Sequence, residues 1–291
     1  MDQQLTPYTT EAERTAGVRI EPGKRYGFFT DTTVCIGCKA CEVACKEWNQ
    51  LPAEDMSLTG MSYDNTGALS ATTWRHVAFI EQVRPAQDHD RDADVPGRWL
   101  MMSDVCKHCS NAPCLEACPT GAIFRTEFDT VVVQQDICNG CGYCVPACPF
   151  GVVAIDDCDG KAHKCTLCYD RLKGGLEPAC AKVCPTDSIR FGELSELDAA
   201  ARDRVEELKA QGVEEAYLYG APDAPGATGG LGRLNAFFLL VDRPEVYNLP
   251  SAPTRPSQRI GAALGAGLVA FAGLAAAAVT LLAGTRNGGG R

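Results

Sequence analysis

Histidine is scarce: the 291-residue chain has four, His76, His89, His108 and His163. Little acid-base machinery can be built from so few imidazoles. No Ser-His-Asp constellation, phosphate-cradling glycine loop or HExxH helix occurs, which excludes the chemistries those motifs carry. Positive charge is also short. Lys and Arg number 27 against 37 Asp and Glu, a formal net charge of −10, so the summed field repels a phosphate backbone and nucleic acid is excluded as a partner. The first residues hold neither a twin arginine nor an apolar secretory core, so export is expected to depend on a partner that carries the signal. Long apolar runs are missing until the end of the chain.

Cysteine, by contrast, is abundant. Sixteen of the seventeen fall into four sets: Cys35, Cys38, Cys41, Cys45; Cys106, Cys109, Cys114, Cys118; Cys138, Cys141, Cys144, Cys148; and Cys165, Cys168, Cys180, Cys184. The first and third are CxxCxxCxxxC, the second is CxxCxxxxCxxxC, and the fourth is CxxC, eleven residues, then CxxxC. A tight run of this kind turns three thiolates inward toward three corners of a cubane, and in two-cluster ferredoxins the fourth cysteine of each run serves the other cluster. Zinc favours two CxxC pairs closed as one tetrahedron, so three cysteines at intervals of three exceed what a zinc site uses. A disulfide framework suits a small domain without a core, and this chain is long enough to bury one. The thiolate-rich loops therefore point to four 4Fe-4S clusters. Cys158 is left over and reads as a free thiol.

Three sets end in Cys-Pro, at Cys118, Cys148 and Cys184, where proline fixes the backbone and turns the chain away from the metal. Lys46 holds that position in the first set. Each loaded cluster carries a charge of about −2, and Lys39, Lys46, Lys107, Lys164, Arg171 and Lys173 beside the cysteines are candidates to offset it. His108 lies within a set that already has four cysteines and is not expected to ligate. Trp48 and Trp74 are expected to pack near the outer cysteines.

Nineteen residues separate the second set from the third, which makes them one contiguous two-cluster module with the first and fourth sets closing a second module around it. In the swapped pattern one centre takes Cys106, Cys109, Cys114 and Cys148, and its neighbour Cys138, Cys141, Cys144 and Cys118. The outer pair takes Cys35, Cys38, Cys41 with Cys184, and Cys165, Cys168, Cys180 with Cys45. A repeat supports the nesting, because Cys118-Pro119-Thr120 and Cys184-Pro185-Thr186 are each followed by isoleucine, Ile123 and Ile189, at the same offset. Short strands are expected there, at Val131, Val132 and Val133, over 75–83 and over 235–241, with a charged helix over 196–211.

The expected class is α+β, two nested two-cluster ferredoxin-like modules plus a small cap and one transmembrane helix. The divisions are an arm over 1–30, a four-cluster domain over 31–191, a cap over 192–256, the helix over 257–285 and a tail over 286–291. Within the cluster domain the outer module covers 31–50 and 160–191, the inner module 104–152 and an insertion 51–103. The anchor rests on 260–284, 25 positions without a charge, which as a helix span about 38 Å, enough to cross a bilayer. Gly261 and Gly265 form a GxxxG on it.

The strings CIGCKACEVACKEWN (35–49), YDN (63–65), CNGCGYCVPACPFG (138–151), KCTLCYDR (164–171) and EPACAKVCPT (177–186) resemble the iron-sulfur beta subunit of membrane-bound respiratory formate dehydrogenase. The resemblance implies a relay subunit that is not catalytic on its own. It implies a molybdopterin alpha subunit with molybdenum or tungsten, a cytochrome b gamma subunit that reduces quinone, and contact with membrane lipid. It further implies that the centre of Cys35, Cys38, Cys41 and Cys184 faces the formate site while the inner module faces the haem, and that the globular part lies on the outer face of the cytoplasmic membrane. The equivalent subunit of another molybdoenzyme or of a hydrogenase is the nearest alternative, and a zinc-stabilised membrane adaptor is the alternative outside redox chemistry.

Overall fold

The computed structural model describes residues 19–53, 60, 63–82, 98–225 and 230–287, which form two units, Met1–Thr254 and Arg255–Arg291. Residues 1–18, 54–59, 61–62, 83–97 with His89, 226–229 and 288–291, and so parts of the expected arm, insertion and tail, lie outside the described residues.

In the first unit, β1 (Tyr26–Asp31) leads through a 3-10 turn (Thr32–Val34) to Cys35, and α1 (Ala40–Asn49) carries Cys41 and Cys45. A hairpin of β2 (Arg75–Gln82) and β3 (Arg98–Val105) then delivers the chain to Cys106. The second and third cysteine sets are built around α2 (Pro113–Glu116), β4 (Ile123–Arg125), β5 (Val131–Val133) and α3 (Cys144–Ala147). A two-residue ladder of β6 (Ala154–Ile155) and β7 (Ala162–His163) leads to α4 (Tyr169–Lys173) and α5 (Ala179–Lys182). The chain closes with β8 (Ile189–Glu193), α6 (Leu194–Ala210), β9 (Tyr217–Tyr219) and β10 (Ala236–Leu240). The strands and the charged helix expected from apolar patterning form within one to two residues of their expected ends.

One four-stranded sheet, in the order β8-β1-β10-β9, holds the outer cysteines in place. β1 is antiparallel to β8 and parallel to β10, so the strand entering the first set lies beside the strand leaving the fourth. Every residue of β1 and β10 is buried. Phe28, Phe29, Phe237 and Phe238 are each at most 1% exposed, and a side chain of that kind contributes about 1.5–3 kcal/mol by leaving water. Phe29 stacks on Phe237 at 5.4 Å. Gly27 permits this packing, since a Cβ there would stand 1.8 Å from the Asn235 carbonyl oxygen. The segments read as arm and cap thus supply three strands, β1, β9 and β10, of a single sheet with β8.

The second unit is α7 (Pro256–Asn287), a helix of 32 residues. Ile260, Leu264, Leu268, Val269, Phe271 and Leu274 are exposed along it. Among the described residues, no helix is long and apolar enough to cross a membrane. The expected membrane helix is met as a helix alone, because alanine and glycine fill much of it and contribute little transfer free energy each.

Candidate iron-sulfur centres

The cysteines gather across the sets rather than within them. Cys35, Cys38, Cys41 and Cys184 line one small cavity of about 20 Å³. Cys118, Cys138, Cys141 and Cys144 line another of about 10 Å³. The remaining eight fall into two groups, shown by which thiols lie near enough to raise one another's pKa. Burial pushes the thiols of Cys109 and Cys114 up, the latter to about 12, and Cys106 and Cys148 add to both. Burial likewise raises Cys45 and Cys168, and Cys165 and Cys180 add to both. None of the seventeen cysteines forms a disulfide.

Neighbouring groups are linked in one order. Cys41 of the first group lies within the field of Cys180, Cys165 within that of Cys106, and Cys114 within that of Cys144. These links join the group of Cys184 to that of Cys45, then to that of Cys148, then to that of Cys118. Both end groups reach solvent, through exposed Cys38 at one end and exposed Cys141 at the other.

A backbone device recurs in all four sets. The residue two places after the first cysteine has positive φ every time: Gly37 at 66°, His108 at 44°, Gly140 at 74° and Leu167 at 58°. A left-handed residue there bends the chain so that the flanking cysteines turn to the same side, and at histidine or leucine it carries conformational strain. Residue identity hides this repeat. Where Cys-Pro follows, the chain departs, since a residue before proline disfavours helix. Lys46 lacks that constraint, so α1 runs on to Asn49. The extra turn carries Trp48, whose Nε1–H donates to Asp170 at 2.7 Å while the Arg171 guanidinium lies 4.2 Å from its ring centre. That contact ties α1 to α4.

Donors surround the sulfurs. The Leu167 N–H reaches Cys165 Sγ at 3.3 Å, the Ala162 N–H reaches Cys138 Sγ at 3.5 Å and the Asn49 amide reaches Cys45 Sγ at 3.7 Å. The Cys-Pro-Thr repeat has a matching geometry, with the Thr120 hydroxyl 3.6 Å from Cys118 Sγ and the Thr186 hydroxyl 3.9 Å from Cys184 Sγ. At Cys118, desolvation is outweighed by the Thr120 hydroxyl and by backbone N–H groups of Ile123, Thr120 and Ala122, which lowers the thiol pKa.

Of the six flanking cations, Lys107, Lys164 and Arg171 are buried, Lys39 and Lys46 are half-buried, and Lys173 is exposed. Lys164 loses solvation on burial, but Cys106, Cys114 and Cys165 more than offset this and raise its pKa. Burial, followed by the fields of Lys164, Arg125 and Arg75, holds His108 well below the usual imidazole range. Its Nδ1 accepts the Val131 N–H at 3.0 Å, so the neutral ring carries its hydrogen on Nε2, which is buried without a partner among the described residues. A nitrogen in that state is a donor and not a metal ligand. Two nitrogens of Arg75, Nε and Nη2, are buried in the same condition. Four thiols around one space, ringed by N–H and O–H groups and by orphaned buried donors, match the needs of a 4Fe-4S cluster, so the residues fit the group.

Cys158 lies on the exposed turn between β6 and β7, its N–H donating to Asp156 at 2.9 Å. Cys158→Ser is expected to leave iron content unchanged, and elemental analysis showing the loss of one cluster's iron would overturn that expectation. A larger cavity of about 920 Å³, walled by half-buried Trp48 and Trp74 with Phe124 and Tyr169, has no cysteine in its lining and stands apart from the four groups. Arg75 and Ser103 are the site residues that sequence reasoning missed. Ser103 Oγ accepts from Arg75 Nη1 at 3.0 Å and stands 3.3 Å from Cys41 Sγ.

Fold and thiol groups together define an iron-sulfur electron carrier of the dicluster ferredoxin class, without catalytic groups of its own. Two 4Fe-4S dicluster domain families match, over residues 34–122 and 97–194. The chain is 41% identical over 227 residues to the formate dehydrogenase iron-sulfur subunit of Haemophilus influenzae, covering 77% of this chain and 68% of that one. It is 40% identical over 227 residues to the nitrate-inducible formate dehydrogenase iron-sulfur subunit of Escherichia coli K12, covering 77% and 71%. The thiosulfate reductase electron transfer subunit of Salmonella typhi is 40% identical over 60% of this chain and 79% of its own. The chain belongs to the family of formate dehydrogenase iron-sulfur subunits.

Proposed function

We propose that the sixteen grouped cysteines hold four 4Fe-4S clusters in the swapped pattern, and that the chain relays electrons from formate oxidation toward the quinone pool. The observation that carries this reading is the linked order of four thiol groups with a solvent-reaching cysteine at each end. Bound clusters supply one-electron chemistry; the chain's own residues fix their order, exclude water and place hydrogen-bond donors at the sulfurs. Residues 31–50 and 160–191 make the outer module and 104–152 the inner one, with 51–103 inserted between.

The partners are a molybdopterin catalytic subunit, docked where Cys38 is exposed beside Ile36 and Val43, and a cytochrome b subunit, docked where Cys141 is exposed near Ile137 and Tyr143. Exposed apolar residues around each end thiol support docking there. The terminal helix enters the cytoplasmic membrane packed on the cytochrome subunit, with the globular part on the extracytoplasmic face. Its low hydropathy suits a span that leans on partner helices, and Gly261 and Gly265 have open space where a neighbour can approach. Identity to formate dehydrogenase subunits extends over more of the chain than identity to the thiosulfate reductase subunit, which favours formate over other donors. Affinity purification in mild detergent tests the assembly. A co-purifying formate dehydrogenase catalytic subunit and a haem-containing subunit are expected, and a hydrogenase large subunit in their place would contradict the reading.

A further inference from the structure

We propose that Arg75 is a positioning residue shared by the two outer centres, raising the reduction potentials of the Cys35-Cys38-Cys41-Cys184 and Cys45-Cys165-Cys168-Cys180 sites together. The inference rests on the cluster-binding reading above. Arg75 opens β2 opposite Val105 of β3 and is 1% exposed. A buried guanidinium is costly unless charge and hydrogen bonds compensate it. The protein supplies only part of that compensation. Nη1 donates to Ser103 Oγ at 3.0 Å and lies 3.5 Å from the Ser103 carbonyl, and the Phe28 ring sits 4.7 Å beneath the guanidinium carbon. No carboxylate pairs with it among the described residues, and Nε and Nη2 have no partner there.

The other buried cations differ. Lys107 Nζ donates to Asp104 and to the Val105 carbonyl. Lys164 Nζ donates to the carbonyls of Val131 and Cys165. Arg171 Nε donates to the Glu177 carbonyl at 2.6 Å. Arg75 alone among these four retains buried donors with nothing to receive them.

The anions within its field are Cys41 from one outer group and Cys45, Cys165 and Cys180 from the other. Ser103 extends the contact, because an oxygen that accepts from Arg75 turns its own hydrogen toward Cys41 Sγ, 3.3 Å away. Arg75 is therefore placed to answer the negative charge of both outer sites at once. Adding an electron to a site of charge about −2 makes it more negative, so a fixed neighbouring cation favours the reduced form. Its removal lowers both potentials. Lysine would keep the charge and lose the planar fork of donors.

The test uses the intact complex, purified anaerobically in detergent, with EPR-monitored redox titration of wild type, Arg75→Gln and Arg75→Lys. In Arg75→Gln the reduction equilibrium constant of both outer centres should fall roughly tenfold, about 59 mV for a one-electron couple, with smaller changes at the inner centres. Arg75→Lys should recover part of the loss. Unchanged outer potentials at wild-type iron content, or an equal shift at all four centres, would overturn the role. A second measurement needs no variant: in wild-type complex labelled with 15N-arginine, pulsed EPR should detect nitrogen coupling at both reduced outer centres, and its absence at either would also overturn the proposal. Missing iron in the wild type would instead defeat the cluster reading itself.

Discussion

Cys41→Ala in the intact complex is expected to remove one centre, about four of the roughly sixteen irons this chain holds, and to stop formate-driven quinone reduction while the catalytic partner still reduces a soluble dye. Cys41 is buried on α1, with Ser103 Oγ 3.3 Å from its sulfur, and it lines the cavity shared with Cys35, Cys38 and Cys184. This group stands at one end of the linked order, so no parallel path bypasses it. Alanine is preferable to serine as the replacement, since a hydroxyl oxygen can itself bind iron. Paired assays of quinone and dye reduction on the same preparation, with iron analysis, decide the point. Quinone reduction at the wild-type rate would contradict a series relay.

Cysteines near in sequence should prove independent, and cysteines far apart should act as one. Cys41 and Cys45 lie one helical turn apart on α1, yet they face different groups, with Cys184 and with Cys165 respectively. Cys41→Ala combined with Cys184→Ala is therefore expected to lose the same four irons, approximately, as either single change. Cys41→Ala combined with Cys45→Ala is expected to lose about eight. The reverse pattern of iron losses would show that each run closes its own cluster. The effect is large enough for ordinary elemental analysis.

The four cysteine sets were legible in the sequence because cysteine chemistry is local: spacing alone sorts the residues into sets, whereas which cysteines share a cluster is a matter of pairing across the chain. Short apolar runs such as Val131–Val133 and 235–241 were also legible as strands. The neighbours of those strands were not. β1 and β10 are parallel partners about two hundred residues apart, with Phe28 opposite Ala236, and no local pattern encodes that register. The left-handed residue shared by the four loops was hidden because only two of its four occupants, Gly37 and Gly140, have the side chain that favours it. Arg75 was hidden for a related reason. It begins an ordinary strand, and its importance comes from Ser103 on the facing strand and from thiols in loops far from it in sequence.

The central claim is that one chain arranges four iron-sulfur clusters in series. Its most direct measurement is iron content together with EPR spin quantitation on anaerobically purified, fully reduced complex. A four-cluster relay predicts about sixteen irons and four reducible iron-sulfur centres from this chain, counted after the partner subunits' own iron is subtracted. Fewer centres, with zinc or no metal at the remaining thiol groups, would contradict it.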